Sequence, residues 1–255
     1  MRLKLIFGLA IFFAALLGSG TIVYAMGDLP LPQIGITIGA TDDPIALAPT
    51  MQLLFLIVII TLAPTLLLMV TCFTRLIVVL HFLRSAMGTQ QMPPNQVLIG
   101  LALFLTLFVM GPIFTEINEE ALIPYTNGLI SQAEAVERGM EPLNRFMRDQ
   151  VSITDLALFA ELAGLGPFES PEDVPARILI PAFILGELTQ GFIIGFLVYL
   201  PFIVIDMITA SVLMAMGMMM LPPAMISLPF KILLFMLVGG WSFVIRYVLM
   251  TFRMT

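Results

Sequence analysis

Cysteine and histidine occur once each in the 255 residues, as Cys72 and His81, so neither an intrachain disulfide nor a zinc site of several Cys and His ligands can be built. Charge is scarce as well, with 11 Lys and Arg, 17 Asp and Glu, and a formal net charge of -6. A nucleic-acid partner, which would need a basic face, does not fit that balance. Catalytic signatures are missing too: the sequence holds no H-E-x-x-H, no G-x-S-x-G, no phosphate-binding glycine loop and no Cys-His pair at a useful spacing. The acid pairs Asp155 with Glu161 and Glu119 with Glu120 read as a solvated acidic face. The chain is therefore expected to be no enzyme and to hold neither cofactor nor metal. A solenoid-type repeat is also absent.

What the chain does have is apolar surface: 60% of its residues are hydrophobic, more than a soluble domain of this length can bury, and it belongs in a bilayer. Residues 1–25 carry Arg2 and Lys4, an apolar run from Leu5 to Leu17, and small or polar residues up to Val23, Tyr24 and Ala25. That is the pattern of a cleavable secretory signal peptide, since 13 apolar residues are short for a span of roughly 20. Cleavage after Ala25 removes two cations and no acid, moving the net charge from -6 to -8.

Residues 26–50, rich in Pro, Gly, Asp and Thr, read as an exported linker. Residues 51–114 read as a first hydrophobic helical hairpin, with apolar arms at 51–70 and 97–114. Between the arms Arg75, His81 and Arg84 interrupt the apolar run, and Gly88 to Pro94 form a turn. Two arginines and no acid in that connection place it in the cytoplasm by the positive-inside rule.

Residues 115–177 hold 12 acidic and 4 basic residues, and Ile130, Ala133, Met140, Leu143 and Met147 recur at helical spacing. This predicts a small acidic, amphipathic helical domain on the periplasmic side. Within it, Ser152 and Asp155 mark a helix start and Gly164, Gly166 and Pro167 its end. Residues 178–255 form a second hydrophobic region: an apolar stretch from 178 to 205 ending at Asp206, a segment from Met207 to Met225 with 7 of the 19 methionines, a break at Pro222 and Pro223, and a last helix over 228–249. Counting four full spans returns the C-terminus to the periplasm, although Arg246 and Arg253 favour the cytoplasm. Either the methionine segment also enters the membrane, or some apolar helices are covered by protein neighbours instead of lipid.

Two acids stand out. Glu187 and Asp206 are the only ones between Ile178 and Arg246, and an ionisable group in an apolar helix is costly enough to point to a subunit contact or a transport role. Asp206 also suits a helix end, and Lys231 and Arg177 are candidate counter-ions. The run from Met214 to Pro223 sets flexible thioethers beside a glycine and two helix breakers, suited either to adaptable core packing or to sealing against surfaces of changing shape.

Several stretches resemble the FliP family of type III protein-export gate subunits: Thr74-Arg75 through Phe82-Leu83-Arg84, Gly88 to Thr106, Pro181 to Leu188 with Gly195-Phe196, Met216 to Pro223, and Pro229 to Trp241. Gly186 and Gly239 depart from the family pattern, which leads one to expect a small polar residue at the first position and an acid at the second. The resemblance implies an all-α, membrane-associated protein whose hairpins assemble into a helical export gate in the flagellar basal body of the inner membrane. It implies a homo-oligomer, typically a pentamer, joined by FliQ and FliR subunits and served by FlhA and FlhB. It implies further that the assembled gate lies largely on the periplasmic side with its hairpins not laid out as ordinary spans, that membrane lipid is among its partners, and that unfolded flagellar proteins pass through its lumen. Met218, Met219 and Met220 would form the pore gasket, Phe146 would supply a pore aromatic, and Glu187 would lie at a subunit contact. The equivalent subunit of a virulence injection apparatus shares these motifs. A small-solute or ion transporter coupled through Glu187 and Asp206 is a reading of another class.

Overall fold

The computed structural model of the chain describes residues 44–252, apart from 90, 167, 169 and 219. The expected signal peptide and most of the linker lie outside the described residues. The chain divides into two compact units between Phe55 and Leu56, and the packed core belongs to the second. All regular structure among the described residues is helical. Helix α1 spans Pro44–Met69, α2 Phe73–Met87 and α3 Asn95–Ile117, and a π-turn at Asn118–Leu122 leads into the short α4, Ile123–Thr126. The acidic region supplies α5 (Gln132–Gln150), α6 (Ile153–Leu162) and a 3-10 turn at Pro171–Asp173. The second apolar region supplies α7 (Ala176–Ala215), α8 (Pro223–Leu237) and α9 (Gly240–Met250).

Local sequence explains most boundaries. Helix α2 stops where Gly88 takes φ 69°, and Arg84 closes the following turn by donating to Asn95 Oδ1 at the start of α3. Ser131 and Ser152 cap α5 and α6, accepting from the backbone N–H of Glu134 and Asp155. Helices α3 with α4 (Asn95–Thr126) and α7 are long and apolar enough to cross a membrane. Two further apolar pairs qualify only together, because each is sharply bent: by 67° between Leu53–Met69 and Phe73–Met87, and by 62° between α8 and α9.

Four elements differ from the sequence reading, the first being the end of the expected linker, where residues 44–50 already belong to helix α1. The stretch between the expected hairpin arms contains a buried helix, α2, and this helix, not 51–70, packs against α3. Helix α7 does not end at Asp206 but continues to Ala215, so the stretch from 207 to 225 is no separate segment. The expected last helix over 228–249 is two helices meeting at Gly239, whose φ of 101° is open to glycine and strained for other residues.

The core forms where α2 lies along α7, with α3 and α5 closing the sides; Leu76, Val79, Leu83, Leu98, Met110, Met147, Leu179 and Phe183 fill it. Helices approach this closely only across small residues, and α7 presents Gly191 and Gly195 one turn apart. A Cβ at Gly191 would meet Val78 at 3.1 Å and the Arg75 Cα at 3.5 Å. At Gly195 a Cβ would overlap the Phe82 ring at 2.6 Å and the Phe82 Cβ at 2.8 Å. One turn before Gly191 stands Glu187, 1% exposed and facing Arg75, which is 2% exposed.

This pair is the polar centre of the fold. Arg75 Nε donates to Glu187 Oε2 at 3.1 Å, and Nη2 donates to Oε1, a two-pronged guanidinium–carboxylate contact. Nη1 donates to the Thr251 carbonyl at 3.3 Å and to its hydroxyl at 3.1 Å, and Nη2 reaches Gln150 Oε1 at 3.5 Å. The Phe252 ring covers the guanidinium, with its centroid 4.1 Å from Cζ. One side chain on α2 thus ties together α7, the end of α5 and the chain after α9.

Removing one partner strands the other charge in the core, so Glu187→Ala is expected to cost about 3–5 kcal/mol, read from SDS-titrated unfolding of the detergent-solubilised chain. The same titration should show a loss of roughly 1–3 kcal/mol for Gly195→Ala, since the Phe82 ring stem has little room to give. Wild-type stability in either variant would mean that the corresponding contact does not hold the fold.

Candidate functional site

The methionine segment forms the tip of a hairpin made by α7 and α8. Helix α7 ends in a Schellman motif: the Met218 N–H donates to the Leu213 carbonyl at 3.0 Å and the Gly217 N–H to that of Met214 at 3.0 Å, with Gly217 at φ 74°. On the other arm Pro223 opens α8 at a position where a missing N–H costs nothing. The tip is therefore short and fixed at both ends, yet its side chains are not packed. Met214, Met216 and Met218 are exposed, and Met220 is 98% exposed. Met219, the middle member of the expected gasket, lies outside the described residues.

Below the tip the two arms are clasped. Asp206 on α7 accepts from the Ser227 hydroxyl and from Lys231 Nζ, both at 2.6 Å and both from α8. Ser227 and Lys231 are buried and Asp206 is partly exposed. Of the two candidate counter-ions, Lys231 holds Asp206, whereas Arg177 is exposed and makes no ion pair among the described residues. Asp206 sits well inside α7, not at a helix end.

Glu187 is enclosed within the chain and held by Arg75, a partner the sequence reading misses because 112 residues separate them. A sequence signal exists: Glu187, Gly191 and Gly195 recur at four-residue spacing, which aligns an acid with two small residues on one helical face. Phe146, expected to be a pore aromatic, is buried on α5 and meets Phe183 edge-on at 5.8 Å between centroids. That ring belongs to the core of its own chain, so the expectation of a pore-facing side chain does not fit its position.

Arg145 on α5 donates to Glu116 near the end of α3 in a partly exposed pair, and this hydrogen bond pushes the already high pKa of Arg145 up further. Arg138 with Glu134 and Arg148 with Glu141 are surface pairs along α5 and contribute little to stability. Among the described residues no three His, Cys, Asp or Glu side chains converge in a way that could hold a metal ion.

An exposed apolar tip of unbranched thioethers on a clasped hairpin is suited to press against other surfaces. Comparison with known proteins gives this geometry its context. The family model described as "FliP family" matches residues 56–248, from the second half of α1 into α9. The flagellar biosynthetic protein FliP of Bacillus subtilis is 51% identical over 217 residues, covering 85% of this chain and 98% of the relative. The protein of the same name from Pectobacterium carotovorum is 53% identical over 193 residues, 76% of this chain and 75% of the relative. That of Treponema pallidum is 46% identical over 217 residues, 84% and 80% respectively. With half of the residues shared along nearly the whole described chain, this protein belongs to the FliP family.

Proposed function

We propose that the chain is a subunit of the flagellar type III export apparatus and that its α7–α8 hairpin lines the channel through which unfolded flagellar proteins cross the inner membrane. The reading rests first on identity near one half to relatives named for flagellar biosynthesis, over most of each chain. The single structural observation that carries it is the exposed methionine tip on a hairpin clasped by Asp206, Ser227 and Lys231. Several such tips brought around one axis would close a pore with thioethers. Unbranched, polarizable side chains can exclude water and ions at rest and still make way for a polypeptide whose side chains vary in size.

A single copy cannot enclose a lumen with one tip, so this reading requires an oligomer. The family resemblance suggests five copies with FliQ and FliR subunits, alongside FlhA and FlhB. Met218, Met219 and Met220 are assigned to the gasket, and Glu187 to holding the helix pair from which the hairpin extends. Multi-pass insertion in the inner membrane with periplasmic exposure of α5 and α6 belongs to the same proposal. No catalytic role is assigned. An injection apparatus is the less favoured setting, because the relatives carry flagellar names.

Deleting the gene should abolish motility and remove flagellin and hook protein from the culture medium, with both restored by the intact chain; normal flagella in the deletion strain would overturn the assignment. Replacing Met218, Met219 and Met220 together by alanine should raise passive ion leak through the inner membrane while native gels still recover the assembled complex. Unchanged permeability with an intact complex would reject the gasket.

A further inference from the structure

A second feature, apart from the hairpin tip, combines an unpaired charge with an apolar groove. Helix α9 carries Arg246, exposed and without an ion-pair or hydrogen-bond partner among the described residues. Ser242 lies one turn earlier, so hydroxyl and guanidinium share one helical face. Both line an open groove of about 540 Å³ whose remaining wall includes Phe108 from α3, with Leu249, Met250 and Phe252.

The groove is continuous with exposed apolar surface. Phe104 and Phe108, one turn apart on α3, are 75% and 68% exposed, and Met250 is 74% exposed. Phe108 lies on a helix long and apolar enough to cross a membrane, whereas α9 reaches that length only together with α8, across a bend of 62°. An arginine without a counter-charge is expensive in an apolar segment unless its head reaches the interface, where water or an anionic headgroup receives it. An acyl chain would fit against the phenylalanines, and a phosphodiester would match the guanidinium fork with the hydroxyl beside it. A net negative lipid suits the site better than a zwitterionic one, whose own cation competes with Arg246.

We infer that the groove between α3 and α9 is a binding site for an anionic phospholipid, its phosphate held by Arg246 and Ser242 and one acyl chain lying along Phe108. This assignment stands whether or not the export reading does, because nothing in its test involves export.

The test is native mass spectrometry of the full chain purified in detergent and titrated with dioleoyl phosphatidylglycerol, dioleoyl phosphatidylcholine or inorganic phosphate. The expected result is preferential retention of phosphatidylglycerol. Arg246→Gln should weaken that retention about tenfold, equivalent to about 1.4 kcal/mol, and Arg246→Lys should weaken it less. Phe108→Ser, a change at an exposed ring that the fold does not need, should weaken it as well. Equal retention by wild type and Arg246→Gln would overturn the site, as would binding of inorganic phosphate as tight as that of the lipid. If Arg246→Gln instead altered the oligomeric state on size exclusion and left lipid retention unchanged, the groove would be a contact with a second copy and the inference would fail.

Discussion

An arginine and a glutamate can be buried side by side only if their hydrogen-bonding forks match and the remaining donors find acceptors, because desolvating both charges otherwise costs more than their attraction returns. Arg75 meets that condition by drawing on widely separated stretches: Glu187 on α7, Gln150 at the end of α5, and Thr251 with Phe252 beyond α9. Each must lie within reach of one guanidinium, so their relative positions cannot drift independently. The glycines of α7 serve the same geometry. Gly191 lets the α2 backbone approach at Arg75 itself, and without that approach the carboxylate one turn earlier would fall short.

The ion pair and the methionine tip share a helix. Glu187 sits in the first half of α7, Asp206 in the second, and the Schellman turn at Gly217 ends it. One helix, its backbone ladder missing only the bonds that Pro181 and Pro201 cannot donate, therefore joins the packed core to an unpacked tip, and the clasp to Ser227 and Lys231 fixes the return arm beside it. The arrangement localises freedom: the methionine side chains can change rotamers while the backbone that presents them is anchored at both ends.

How much of this is legible in the sequence depends on whether the cause is local. The turn at Gly88, the cap at Ser152, the stop at Gly164 and the break at Pro222 and Pro223 are short-range chemistry and can be read from the chain; the cap at Ser131 is equally local but emerges only in the structure. The all-helical class and the apolar segments follow from composition. Helix α2 escapes such a reading because a helix buried on several sides against protein carries Arg75 and His81 inside an apolar run, which looks like an interruption when its partners are unknown. The expected end at Asp206 fails for the same reason: a carboxylate that finds a lysine on the next helix has no need of a helix terminus. The bend at Gly239 leaves a trace, since two adjacent glycines precede Trp241, but hydropathy averages over such a break.

Helix length then limits what a bilayer alone can cover. Forty residues at 1.5 Å each make α7 about 60 Å long, and even a tilt of 40° leaves roughly 46 Å along the membrane normal against a hydrocarbon core of about 30 Å. Apolar side chains such as Phe192, Phe196, Val204, Ile208 and Val212 are exposed along much of that length. Charge counting does not resolve the placement. Arg75, which with Arg84 points the first connection towards the cytoplasm, is neutralised inside the core and carries no weight in the positive-inside balance. Lipid can hide only part of this rod. The rest is already covered within the chain: the first half of α7 packs against α2 and α5, and the exposed apolar side chains run from Phe192 to Met214, a length of about 33 Å that comes close to the hydrocarbon thickness.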